Sequence, residues 1–244
     1  NKMRFKRVEK KDRKMAFFDG KTADTYDSWF ETPLGALVDK VEKDLFLKCA
    51  VPQKGQKVLD LGCGTGHYSL FLAQRGCDVC GVDISEPMLN VARSKSKALS
   101  LPVRWVNASL EALSLDEESF DLVYSVTAFE FLSNPQKAAL KAWNFVKKGG
   151  RLVIAVIGKQ SPWARVYGES ARNDKSSVFA GAHFYTPEEL MALLPGIKGE
   201  YHTGLHFGPD FDPQRREEAL RLEKEGVKDK KREGGFLCGI WKKM

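Results

Sequence analysis

The stretch Val58-Leu59-Asp60-Leu61-Gly62-Cys63-Gly64-Thr65-Gly66, followed by Cys80-Gly81-Val82-Asp83-Ile84, decides how this chain is read. An apolar, partly β-branched run leads into three alternating glycines, which predicts a buried strand that turns sharply and lets its backbone approach a ligand. Asp83 stands seventeen positions after Gly66, at the expected end of a second strand. A glycine turn, a helix N-terminus behind it and a carboxylate at that distance are the layout of a nucleoside site, with the acid reaching the ribose hydroxyls.

The spacing narrows the ligand. Gly62-x-Gly64-x-Gly66 lacks the close-packing glycine of the dinucleotide fingerprint in register, and no Lys-Ser/Thr pair follows for a triphosphate. Asp60, just before the turn, would repel a pyrophosphate and attract an ammonium group. A ligand with a ribose, an adenine and a positively charged amino-acid end therefore fits better than NAD or ATP. From Lys54 to Ile157 the residues resemble the class I methyltransferases that use S-adenosylmethionine, whose first motif reads much like Val58 to Gly66. The resemblance implies a Rossmann-like α/β fold of three layers, αβα, around a mainly parallel seven-stranded sheet, with S-adenosyl-L-methionine as cofactor.

It also implies roles for particular residues. Asp60 and the turn Gly62-Cys63-Gly64 would face the methionine end, Asp83 both ribose hydroxyls, and Ile84 and Met88 the two faces of the adenine. Where the family commonly has an aspartate for the adenine's amine, this chain has Asn107-Ala108-Ser109-Leu110, leaving Ser109, Asn107 or the backbone of Leu110 for that bond. Thr127 and Phe129 would lie at the reactive end. Tyr26-Asp-Ser-Trp29-Phe30 resembles the N-terminal lid of the group similar to the ubiquinone and menaquinone C-methylating enzymes (methyltransferase type 11), so Tyr26 and Trp29 would close over the methionine moiety. Trp163, Tyr167, His183 and Tyr185 are expected in a second covering segment. The candidates for proton transfer are His183, Glu130 and Tyr167.

At 244 residues the chain accommodates one elaborated α/β domain. We expect an N-terminal helical lid over 1–50 and a methyltransferase domain over 51–244, with cap insertions at about 158–185 and 208–234. No apolar run approaches a membrane span, and the basic start lacks an apolar signal core, so a soluble, cytoplasmic protein is expected. The five cysteines are odd in number and scattered, which suits a reducing compartment; Cys77-Asp-Val-Cys80 enters a predicted strand without a second pair, so no metal site is expected.

The net charge of +7 lies largely in Lys2 to Lys14 and in Arg215 to Arg232, where Glu217, Glu218, Glu223 and Glu225 interleave and Glu233 follows. Mixed signs of that kind make solvated helix faces more often than phosphate tracks.

Along the chain, Leu34-Leu37-Val38-Val41-Leu45 has helical spacing after Pro33. Strands near 57–61, 78–83, 103–107, 122–125 and 151–157 then alternate with helices near 68–74, 86–97 and 135–146. Gly149-Gly150 is expected to turn into the fifth strand, and 199–207 and 235–241 to close the sheet, the second antiparallel.

After the fourth strand, Ser125-Val-Thr-Ala-Phe-Glu-Phe131 lacks the Asn/Asp-Pro-Pro-aromatic signature of base-amine methylation, and no aspartate pair offers magnesium to a catechol. The expected activity is methyl transfer to a small, partly aromatic or apolar metabolite, by a monomer or homodimer. Two alternatives remain: an RNA or protein methyltransferase docking through the basic N-terminal segment, and a regulatory protein that binds the cofactor without catalysis.

Overall fold

A computed structural model describes residues 20–228 and 234–244. The basic segment Lys2 to Lys14 lies outside the described residues. Three helices come first: α1 (Gly20–Tyr26), α2 (Ser28–Glu31) and α3 (Pro33–Ala50). Then β1 (Lys57–Leu61), α4 (His67–Ala73), β2 (Asp78–Asp83), α5 (Glu86–Ala98), β3 (Arg104–Asn107), β4 (Phe120–Val126), α6 (Pro135–Phe145) and β5 (Val146–Ile157) alternate, with a short 3-10 turn at Phe129–Phe131. The chain finishes with α7 (Pro162–Asn173), α8 (Pro187–Met191), β6 (Gly199–Gly204), α9 (Arg216–Lys228) and β7 (Phe236–Lys242).

These strands form one seven-stranded sheet in the order β3-β2-β1-β4-β5-β7-β6. The first five run parallel, and β7 lies antiparallel to both β5 and β6. Parallel strands need helical crossovers, so both faces are covered and the strands read as nearly unbroken apolar runs. On one face Val58, Tyr124 and Val153 pack against Leu37, Val41 and Phe46 of α3; on the other Leu59, Val123 and Leu152 meet Ala139, Ala142 and Phe145 of α6. All five cysteines are buried in the fold as free thiols.

Helix starts follow local chemistry. Thr32, Ser85, Asn134, Ser161 and Thr186 each accept a backbone N–H in the first turn of α3, α5, α6, α7 and α8, and proline occupies an early position of every one of these helices. Thr186 and Glu189 complete a reciprocal capping box.

One expectation is corrected. Gly149 and Gly150 do not turn into a separate strand; they lie within β5, where pairing with β4 slips between Phe120 and Leu122. Gly149, at φ +78°, supplies the left-handed residue such an irregularity needs.

Strands β1, β2 and β3 are laid down in one direction and β4, β5 in the other, so the order reverses between β1 and β4. The carboxyl ends of parallel strands at such a reversal frame a crevice.

Candidate functional site

The glycine turn leaves β1 at the sheet's carboxyl edge. The N–H groups of Gly62 and Cys63 both donate to Val82 O, at 2.8 and 3.0 Å, which stitches the turn to β2. Gly62, Gly64 and Gly66 all have positive φ. A side chain at Gly62 would meet Ala128 Cβ at 2.4 Å and one at Gly66 would meet Trp105 at 2.6 Å, so these two glycines serve close packing. Gly64 has nothing within 4 Å of where its Cβ would be, and its bare backbone faces open space that a ligand can fill.

Asp83 at the end of β2 is tied to this turn. Its Oδ2 accepts from Gly64 N and its Oδ1 from Ser85 N, both at 2.8 Å. Burial raises its carboxyl above the ordinary range while these N–H groups pull it back. Each oxygen keeps a further lone pair for a hydroxyl. Asp60, 2% exposed, accepts from Ser69 Oγ at 2.6 Å and Tyr124 OH at 2.8 Å, and burial pushes it up to about 7.

These groups line a cavity of about 1040 Å³, mouth included. Following the sheet edge, the wall runs from Ser109 and Leu110 after β3, past Asp83 and Ile84, over Gly62 to Thr65, to Val126–Ala128 after β4. Thr127 holds φ +48° there, with its N–H bonded to Ala155 O. Strained backbone of this kind persists where surrounding structure enforces it, and it collects at ligand sites.

The N-terminal helices roof the space. Asp27, between α1 and α2, accepts from Thr65 Oγ1 at 2.7 Å and pairs with Lys95 of α5 at 2.6 Å, which fastens the roof to both the glycine turn and the neighbouring helix. Phe30 stacks on His67 at 3.9 Å between ring centres, and Tyr26 and Phe30 face the cavity. Burial, then the nearby Glu42 carboxylate, pushes the Tyr26 hydroxyl up to about 12.

Of the expected cofactor residues, Tyr26, Asp60, Gly62, Cys63, Gly64, Asp83, Ile84, Met88, Ser109, Leu110 and Thr127 come together around this one space. Trp29 does not. It is 37% exposed and packs edge-on against Trp163 outside the cavity, and Phe30 takes the inward position beside Tyr26. Asn107 is also outside, its amide donating to Ile84 O and Asp83 O.

None of the three expected proton-transfer residues lines the cavity. The His183 side chain is 53% exposed and lies 3.6 Å from Glu189. Tyr167 is stacked on Phe179 at 4.1 Å. Glu130 is 1% exposed and accepts from Ile157 N at 2.8 Å, which pins the 3-10 turn to the end of β5. The residue that sequence reasoning missed is Glu42 of α3, which faces the cavity and is pushed up to about 8 by burial and then by the nearby Asp39 and Glu130 carboxylates, against the opposing pull of Lys43.

The cavity fits an adenosyl amino acid with a sulfonium. Among the described residues its wall has acids and no lysine or arginine, and it meets the bare backbone of Gly64. Comparison with known proteins points the same way. The Methyltransferase domain family matches residues 59–154, from β1 through most of β5. An uncharacterized protein of Methanocaldococcus jannaschii is 30% identical over 226 residues, spanning 92% of this chain and 97% of its own. A ubiquinone biosynthesis O-methyltransferase of Sinorhizobium fredii is 31% identical over 168 residues, 66% of this chain and 68% of that one. Among solved structures, an S-adenosylmethionine-dependent methyltransferase of Thermotoga maritima, described as a possible histamine N-methyltransferase, superposes with a TM-score of 0.70 at 23% identity, covering 95% of this chain and all of that one. With the glycine turn, the ribose-spaced acid and the strand order in agreement, the chain belongs to the class I methyltransferases and is an enzyme that uses S-adenosyl-L-methionine.

Proposed function

We propose that the protein methylates a small metabolite with a partly aromatic or apolar body. The observation that carries this reading is the fastened roof. With Asp27 bonded to Thr65 and Lys95, the reaction space is a roofed pocket whose wall away from Ile84 and Ser109 is built of Phe30, Tyr68, Val126, Phe131 and Leu132. The relatives named for ubiquinone biosynthesis O-methylation support a hydroxyl as the accepting group.

The bound cofactor supplies an electrophilic methyl on a sulfonium whose departure is neutral. The chain's share of the work is to bind, orient and exclude water. In this reading Asp83 accepts the ribose hydroxyls, and Ile84 and Met88 flank the adenine, with Ser109 and Leu110 at its amine edge. The Gly62-Cys63-Gly64 backbone and Asp60 face the methionine end, and Thr127 stands near the methyl. Tyr26 and Phe30 cover it, where a dry wall and fixed alignment contribute on the order of 7–11 kcal/mol. No proton step is assigned to His183, Tyr167 or Glu130.

Two measurements test this. Titration with S-adenosylmethionine shows binding that Asp83→Ala weakens at least 10-fold; unchanged affinity rules out the site. Incubation with labelled cofactor and separate small-molecule and RNA extracts places label in the small molecules, and label confined to RNA overturns the acceptor class.

A further inference from the structure

Among the described residues the cavity wall carries three carboxylates, Glu42, Asp60 and Asp83, and neither lysine nor arginine, in a chain whose net charge is +7. Asp83 is bonded to two backbone N–H groups and Asp60 to two hydroxyls. Glu42 differs: among the described residues its carboxylate makes no hydrogen bond and no ion pair. Lys43, its neighbour, is drawn away, with its ammonium 2.7 Å from Asp39 Oδ2 and 2.9 Å from His67 Nε2.

A second polar residue belongs to the same wall. Tyr68 also lines the cavity, is only 9% exposed, and among the described residues its hydroxyl has no partner. Glu42 is the first electrostatic influence on that hydroxyl, as it is on Tyr26 and Tyr167. Buried polar groups are almost always satisfied, so a wall carboxylate and a buried wall hydroxyl that both lack a partner among the described residues mark the place of a missing donor. Tyr26, Phe30 and Tyr68 line the same wall and give the acceptor's body an aromatic surface.

We propose that Glu42, with the Tyr68 hydroxyl, is the acceptor-recognition pair of this pocket, and that it selects an acceptor bearing a basic amine on its apolar or aromatic body. The inference rests on the methyltransferase reading of the cavity and deepens it by naming the acceptor's charge. The pair acts at the ammonium and leaves open which atom of the acceptor is methylated. Among the described residues the wall offers an anionic acceptor no lysine or arginine. The titratable and charged groups facing Glu42 are Asp39 and Lys43 of its own helix, Tyr26 of α1, Tyr68 of α4, Glu130 after β4 and Tyr167 of α7. In the empty pocket Glu42 holds its proton up to about pH 8, and an incoming ammonium releases it.

The test uses the full chain saturated with S-adenosylhomocysteine and three phenyl-bearing probes of similar size: phenethylamine, 2-phenylethanol and phenylacetate. Calorimetry is expected to show the amine binding at least 10-fold tighter than the other two. At pH 7 that binding releases protons, seen as a dependence on buffer ionisation heat. In Glu42→Gln the preference falls to within about 2-fold and the proton release disappears, while the affinity for S-adenosylmethionine stays within 3-fold. Equal binding of alcohol and amine overturns the inference. So does a Glu42→Gln chain that loses S-adenosylmethionine instead, because Glu42 would then hold the cofactor's own ammonium. With labelled cofactor and a small-molecule extract split by ion exchange, label belongs in the cationic fraction. Label in the neutral or acidic fraction sinks this inference alone, whereas no label in any fraction sinks the methyltransferase activity on which it rests.

Discussion

At the scale of single residues, the buried acids divide by what they touch. Glu130 Oε1 accepts the Ile157 N–H, its backbone carbonyl accepts from His183 N, and among the described residues its Oε2 has no partner. Burial pushes it up from an ordinary 4.5 to about 7, so the folded protein holds a proton that the unfolded chain gives up between those values. Stability contributed by this group is therefore complete below about pH 4.5 and is lost as pH rises through 7. Glu130→Gln keeps an acceptor for Ile157 and does not titrate. Relative to the parent chain its melting temperature should rise between pH 5 and pH 8, by up to roughly 5–10 °C for a linkage term on the order of 2–3 kcal/mol. Other titrating acids are common to both chains and cancel in that difference, so a difference that does not change with pH would show that Glu130 is ionised throughout. Asp83 was legible from sequence because its distance from the glycine turn is set by the length of one βαβ step. Glu42 was not, since Asp39, Glu42, Lys43 and Asp44 look like the solvated side of an amphipathic helix, and only the tertiary placement of α3 turns Glu42 toward the cavity.

At the scale of elements, the roof is short and held by few contacts. Helix α1 has seven residues and α2 four, too short to persist on their own helical propensity. Their position depends on Asp27 with Thr65 and Lys95, on Phe30 over His67, and on Gly35, where any Cβ would collide with Trp29 O. Removing the Asp27 carboxylate should loosen the roof more than the fold. We expect Asp27→Ala to speed S-adenosylmethionine dissociation about 3- to 10-fold in stopped-flow measurements and to shift the melting temperature of the ligand-free protein by less than about 3 °C. Unchanged dissociation would mean that the roof does not retain the cofactor. Elements with a strong period were legible: α3 from its apolar spacing, and β1, β2 and β4 from their buried runs. The junction of α6 and β5 was not, because two adjacent glycines signal a turn to any local reading. Here the pairing of β4 and β5 on both sides of them keeps the backbone in the sheet.

At the scale of the whole molecule, the reversal of strand order between β1 and β4 puts the ligand at one edge of the sheet, and the antiparallel β7 and β6 extend the far side away from it. Ligand binding should therefore stabilise the molecule unevenly. Among the described residues, the groups lining the cavity come from α1 to α5 and the carboxyl ends of β1 to β4, with none from β6, β7 or α9. Cofactor at 100 times its dissociation constant adds about 2.7 kcal/mol to global stability, which corresponds to a rise of roughly 5–10 °C in melting temperature. Amide hydrogen exchange resolves where that stabilisation acts. Segments 20–31, 61–68, 83–88 and 126–132 should slow by more than the global change alone requires, because the ligand suppresses their local opening as well as global unfolding. Amides in 199–204 and 216–228 that exchange through local opening should keep their rates, since those openings leave the cavity untouched. Equal added protection across β6 and α9 would mean either that the ligand binds elsewhere or that the two ends of the sheet open as one unit, and the position of the protected turn at Gly62 to Gly66 would distinguish these outcomes.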